Sequence, residues 1–411
     1  MEHRGLLLVL VAALCLAGGA DARHAKKSYQ AVFSFGDSLS DAGNLIVDGI
    51  PKSLTTARAP YGMTFFGRPT GRCSNGRVVV DFLAEHFGLP LPPASQAHGK
   101  GFKKGANFAI TGATALEYSF FKAHGIDQRI WNTGSINTQI GWLQKMKPSL
   151  CKSEKECRDY FSKSLFVVGE FGGNDYNAPL FSGVAFSDVK TYVPLVAKAI
   201  ANGVEKLIEL GATDLLVPGI LPIGCFPLYL TLYNSSKKSD YNARTGCLRR
   251  YNRLAFHHNR ELKQQLDQLQ KKYPKTKIMY GDYFKAAMQF VVSPGKFEPD
   301  GHGRFQHGIA GVLRRRRVGR LQLQPEEEVR RGGRERVLQP VGVRELGRHP
   351  HDRGRLPHGR QRLAEWPLRL STDHEVRIQM VSHVYVMSPP PPPQLLVMME
   401  GSTDMQSAED I

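Results

Sequence analysis

A short, largely apolar run, Ala31-Val-Phe-Ser-Phe35, stops on Gly36-Asp37-Ser38. Such a run, bounded by turn residues, reads as a buried strand. The turn leaves a serine hydroxyl at the strand's carboxyl end, the edge at which open parallel α/β sheets place their ligands. Serine is a weak nucleophile unless a base and oxyanion-stabilising donors serve it. The rest of the chain is read with that requirement in view.

Four more strand-like runs follow: Ala106–Ile110, Leu165–Gly169, Leu215–Pro218 and Ile278–Tyr280. Helical patterns lie over Arg77–Phe87, Thr138–Met146, Tyr192–Leu210 and Leu248–Tyr273. Strands alternating with helices predict a parallel sheet with crossover helices. With 411 residues, the chain can bury one large α/β core.

Residues 1–22 carry Arg4, the apolar stretch Leu6–Leu16 and an Ala20-Asp21-Ala22 cleavage pattern. They are expected to form a secretory signal, with a mature start near Arg23. No later apolar run is long enough to span a bilayer, so no membrane insertion is expected. The expected location is extracellular or in a cell wall. Oxidising surroundings favour disulfides. Cys151 and Cys157 are the candidate pair, closing a short polar loop; with Cys73, Cys225 and Cys247 the total is odd. Asn234-Ser235-Ser236 is a candidate glycosylation site. The net charge of +18 suits adherence to acidic wall polymers, although a solubilising surface explains it as well.

Three regions follow from texture: the signal at 1–22, a regular α/β region at 23–297 and a tail at 298–411. From Phe297 onward there are 18 Arg and no Lys, with a four-arginine run at Arg314–Arg317 and five prolines at Pro389–Pro393. Apolar periodicity is lost, which predicts disorder. Export makes nucleic acid an unsuitable partner for this basic arm. A shifted reading frame also accounts for the tail. Arg314–Arg317, written as repeated CGG, becomes glycine codons one base forward. Glu345–Gly354, with suitable codons, reads Ser-Trp-Asp-Gly-Ile-His-Met-Thr-Glu in that frame. This restores an Asp-x-x-His, and sequencing the transcript tests it.

Phe35-Gly-Asp-Ser-Leu-Ser-Asp-Ala-Gly-Asn44 resembles the first block of the plant GDSL esterase/lipase family, within the SGNH hydrolases. Gly71–Arg77, Asn107–Ala115 and Val168–Tyr176 match further blocks in order, and Val217–Cys225 is also similar. The resemblance covers roughly Ser28 to Phe297. It implies a flavodoxin-like three-layer α/β/α SGNH hydrolase fold with a parallel sheet, and hydrolysis of small-molecule, lipid or glycan esters without metal or organic cofactor. It further implies Ser38 as nucleophile, with an oxyanion hole made of the Ser38 N–H, the Gly112 N–H and the Asn174 side chain. Read from the residues alone, Ser38 also suits a helix cap, Gly112 a tight turn and Asn174 a turn asparagine. Asp37 and Asp175 read as structural acceptors or helix-start charges.

In the family the base is a histidine three residues after an aspartate, near the C-terminus. The printed chain has only Asp21-Ala-Arg-His24, which straddles the cleavage site. His257 and His258 fall in a long polar helix and are expected at its surface. His302, His349 and His351 lie in the aberrant tail. General base and orienting acid are therefore not identifiable, and impaired esterase activity is expected. The alternative is a non-catalytic protein that retains the pocket and binds acyl or glycan ligands.

Overall fold

The computed structural model describes residues 28–49, 56–130, 134–293 and 375–376. The apolar runs form β1 (Val32–Phe35), β2 (Gly105–Asn107), β3 (Leu165–Val168), β4 (Asp214–Pro218) and β5 (Lys277–Gly281). They pair in parallel in the order β2-β1-β3-β4-β5. This is the flavodoxin-like order. A two-residue strand, β6 (Glu375–Val376), pairs in parallel outside β5. The expected signal segment and the rest of the tail lie outside the described residues.

Helices α1 (Asn44–Asp48), α2 (Val79–His86), α3 (Tyr118–Ala123), α4 (Ile136–Leu150) and α5 (Glu154–Ser162) occupy the first half. After β3 come α6 (Gly173–Phe181), α7 (Phe186–Thr191) and α8 (Val193–Glu209). Then follow α9 (Pro227–Leu232), α10 (Arg249–Lys272) and α11 (Tyr283–Val292). Three of the long helices start on side-chain caps: Ser135 for α4, Ser153 for α5 and Asp282 for α11 each accept a backbone N–H of the first turn.

Alternation along each strand sorts the core into two faces. Phe33, Phe35, Phe166, Val168, Leu215 and Val217 pack with α4, α8 and α10 through Ile136, Ile140, Val204 and Leu254. Val32, Leu165, Val167, Leu216 and Met279 turn the other way, onto Val80 and Leu83 of α2 and Ala286 and Ala287 of α11. Helices therefore cover both faces, giving the expected three-layer α/β/α arrangement. Phe33 meets Phe166 at 5.3 Å and Phe161 edge-on at 5.7 Å, a packing worth more than area alone.

Cys151 and Cys157 are joined, tying the end of α4 into α5 rather than closing a simple loop. Cys225 and Cys247 form a second disulfide, and Cys73 is the remaining thiol among the described cysteines. Asn234 is exposed just beyond α9. Among the described residues no helix is long and apolar enough to cross a membrane.

Candidate active site

β1 ends on Gly36, whose φ of +146° favours glycine, and whose added Cβ would lie 2.9 Å from the Gly169 backbone. Gln139, buried on α4, grips this residue from both sides. It accepts the Gly36 N–H at 2.9 Å and donates to the Gly36 carbonyl at 2.8 Å. The turn that follows presents Ser38 half-buried at the carboxyl edge of the sheet. No described residue hydrogen-bonds to its hydroxyl or takes its backbone N–H.

Buried polar side chains tie the neighbouring loops to this turn. Asp41 accepts the N–H groups of Gly43 and Asn44 at 2.7 Å and that of Thr111 at 2.8 Å. The Asn44 amide donates to the carbonyls of Asn107 and Ala109, both at 2.8 Å. Asp175, in the first turn of α6, accepts the N–H groups of Ala115 and Leu116, both at 2.9 Å. The loops after β1, β2 and β3 are thus held in one frame by acceptors that point at backbone donors.

Gly112 lies in the loop after β2 at φ +89°, and its N–H has no acceptor among the described residues. Asn174 approaches from the start of α6. Its side-chain nitrogen donates to the Ala113 carbonyl at 2.9 Å and to Asp37 Oδ2 at 3.2 Å. One amide therefore bridges the residue beside Ser38 and the residue beside Gly112. The N–H groups of Ser38 and Gly112, neither accepted by a described residue, thus each lie one residue from a group that the Asn174 amide bonds. Such an arrangement can stabilise negative charge on an oxygen bound there.

Residues 32–309 match the family described as GDSL-like Lipase/Acylhydrolase. The GDSL esterase/lipase At5g45910 of Arabidopsis thaliana is 48% identical over 274 residues, 66% of this chain and 74% of that protein. At1g28570 from the same plant is 42% identical over 272 residues, 66% of this chain and 70% of its own length. The sinapine esterase of Brassica napus is 40% identical over 274 residues, 66% of this chain and 70% of its own length. The chain belongs to the GDSL lipase/acylhydrolase family. By family it is a carboxylic ester hydrolase.

The GDSL site concentrates carboxyl groups. Burial pushes Asp37 up to about 7; the Leu39 N–H opposes this, while the charges of Asp175 and Asp41 add to it. Burial likewise pushes Asp175 up to about 6, against the N–H groups of Leu116 and Ala115. Glu170 is held well above the usual carboxylate range by burial and by Asp37. Burial drives the Cys73 thiol up to about 12, with Asp41 adding to the effect, so it stays protonated beside Thr111 Oγ1 at 3.7 Å. These acceptors fit the structural role read for Asp37 and Asp175.

The surface reading of the paired histidines needs correction for one of them. His258 is fully buried, because α10 is amphipathic: Tyr251, Leu254, Ala255, His258, Leu262, Leu266 and Leu269 form one stripe. Its Nδ1 meets the Tyr176 hydroxyl at 2.8 Å, and its Nε2 has no partner among the described residues. Burial, reinforced by His257, pushes its pKa down to about 3, so the ring is neutral. His257 is partly exposed. Neither histidine hydrogen-bonds to Ser38. His302, His349 and His351 lie outside the described residues.

Two supports of the GDSL site escaped sequence reading. Gln139 sits in a polar helical stretch with no motif around it. Arg72 forms a buried two-pronged pair with Asp81, with both nitrogen–oxygen distances 2.8 Å, and also donates to the Ala42 carbonyl at 3.3 Å. The Arg72–Asp81 spacing of nine residues matches no local pairing rule, so only the fold reveals it. Among the described residues no three His, Cys, Asp or Glu side chains are grouped to hold a metal ion. A cavity of about 330 Å³ is lined by Glu117, Asn137, Glu205 and Lys206 among others, and Ser38, Gly112 and Asn174 are not in its wall.

Proposed function

We propose that this chain is an exported serine ester hydrolase acting through an acyl-enzyme on Ser38, and that the printed tail leaves it without an efficient general base. Ser38 Oγ attacks the ester carbonyl carbon while a base takes its proton. The tetrahedral oxyanion is bound by the N–H groups of Ser38 and Gly112 and by the Asn174 amide. Collapse expels the alcohol, protonated by the same base; water then attacks the acyl-Ser38 carbonyl and releases the acid. The observation that carries this reading is the placement of Asn174, bonded at once to Asp37 and Ala113. Its longer contact, to Asp37, is the one released when an oxyanion forms.

The family's base belongs to an Asp-x-x-His that the printed chain lacks after residue 24. Without it Ser38 stays protonated, and only the residual rate supplied by the oxyanion donors remains. A short-chain p-nitrophenyl ester tests this with two chains, one as printed and one carrying the shifted frame after Phe297. The shifted chain is expected to hydrolyse it at least about 100-fold faster. Equal, high rates in both would overturn the missing base. No hydrolysis by a folded shifted chain would overturn the esterase reading.

Export, glycosylation and wall adherence belong to the same proposal. The exposure of Asn234 supports its modification. The expected results on plant-secreted material are an N-terminus at Arg23 and a mass loss on glycosidase treatment that Asn234→Gln abolishes. Retention on a pectate matrix is expected to weaken steeply with salt.

A further inference from the structure

His258 occupies the middle of the apolar stripe of α10, flanked by Leu254 and Leu262 one turn to either side. A leucine would continue that stripe; an imidazole whose buried Nε2 has no partner among the described residues is a costly occupant. What it gains lies on α6. Nδ1 meets the Tyr176 hydroxyl at 2.8 Å, and the ring lies edge-on to the tyrosine at 5.7 Å. It also presses on the loop leading into α6. A Cβ added at Gly172 would come within 2.8 Å of the imidazole Cε1, and Gly172 has φ +110°. Gly172 is the residue before α6, and Tyr176 is in its first turn.

The next residue of α10 does the same to the adjacent loop. Asn259 accepts the Ile220 N–H at 2.8 Å and donates to the Ile220 carbonyl at 2.9 Å. A Cβ at Gly219 would collide with the Asn259 and Tyr280 side chains. β3 and β4 are neighbours in the sheet, so two consecutive residues of one helix grip the two loops at their carboxyl ends. In the first turn of α6, three consecutive residues point to three anchors. Asn174 reaches Asp37 and Ala113, Asp175 takes the N–H groups of Ala115 and Leu116, and Tyr176 binds His258.

We propose that His258 is a positioning residue for ester hydrolysis: through Tyr176 and Gly172 it sets the roll of α6, and so aims the Asn174 amide at the oxyanion. Asn259 fixes the neighbouring loop against which that setting is made. The inference rests on the reading of Ser38 as nucleophile and Asn174 as oxyanion donor.

The test uses the full chain and a fluorophosphonate probe, with the rate of Ser38 capture followed by mass spectrometry. Tyr176→Phe keeps the ring and removes only the hydroxyl. It is expected to slow the capture step about tenfold with the probe's half-saturation unchanged, as small misplacements do. His258→Leu is expected to match or exceed that loss, and His258→Gln to recover part of it. In an Asn174→Ala background, Tyr176→Phe is expected to change the rate less than about twofold, since contacts acting through one group are not additive. Losses that multiply in the double variant would overturn the proposal. If Asn174→Ala alone leaves capture unchanged, the underlying reading of the site fails; no capture at Ser38 reports only the missing base. Aiming is then judged by the Asn174 side-chain amide signals in a ¹⁵N–¹H spectrum. A shift of those signals in Tyr176→Phe sustains it, and their staying in place overturns it.

Discussion

Along β1 and β3, Phe33, Phe35 and Phe166 meet ring to ring with every side chain fully buried. A few residues beyond, the loops that follow β1 and β3 carry Asp37, Asp41 and Glu170, and the first turn of α6 carries Asp175, all buried. The interior gains from burial that has no direction and tolerates small shifts. The carboxyl edge is held by acceptors aimed at particular N–H groups, and burial disfavours their charge. The difference teaches where placement comes from. The sheet supplies stability, and the edge spends some of it on fixing the Ser38 turn against Gly112 and Asn174.

The comparison breaks most visibly in rates. Asn174→Ala is expected to slow Ser38 capture by about 10²–10³, the usual cost of one oxyanion donor, while the melting temperature barely moves. Phe166→Ala is expected to do the reverse. It should cost about 3–5 kcal/mol in denaturant unfolding, with the capture rate of the folded fraction within about twofold of the parent. A large rate loss from Phe166→Ala at full folding would erase the distinction between the regions.

Arg72 stands between the two regimes, since its guanidinium meets Asp81 below the edge. Arg72→Met leaves a carboxylate buried without its partner and is expected to cost about 3–5 kcal/mol. Adding Asp81→Leu should return part of that loss, as read by urea midpoints. Should Arg72→Met be neutral, the pair does not hold the first loop.

Two titrating groups at the edge sharpen the comparison with opposite signs. Asp37, raised to about 7, binds a proton in the folded state that the unfolded chain has already lost, so its contribution to stability is complete below about pH 4 and fades as pH rises through 7. Relative to the parent, Asp37→Asn is therefore expected to gain about 2–4 kcal/mol between pH 4 and pH 8. His258, lowered to about 3, does the opposite: its contribution is complete above pH 6.5 and fades as acid approaches 3. His258→Gln should gain on the parent as pH falls from 7 to 4. Unfolding curves of each variant and the parent at matched pH measure both; flat differences would remove the electrostatic cost assigned to the edge.

How legible this was in the sequence depended on whether the signal was local. β1, β3, β4 and β5 followed from apolar runs, and the long helices α4, α8 and α10 from helical patterns, with ends shifted by a few residues. β2 closes at Asn107, three residues short of the expected strand, although Phe108 and Ile110 still donate to the carbonyls of Ser34 and Gly36. α6 was missed because Gly172-Gly173-Asn174 reads as a turn. Ser38, Gly112 and Asn174 stood out by motif, but the turn and loops that carry them are held by Gln139, Asp41 and Asp175, polar residues whose burial only the tertiary fold decides. His258 was misread for the same reason, since overall polarity of α10 hid the stripe that carries it inward.

The most direct test of the account is where a fluorophosphonate lands on the chain with the shifted frame restored. Peptide mapping is expected to find a single stoichiometric adduct on Ser38, blocked in advance by a slowly hydrolysed ester. An adduct on any other residue, with Ser38 unmodified and the protein folded, would contradict it.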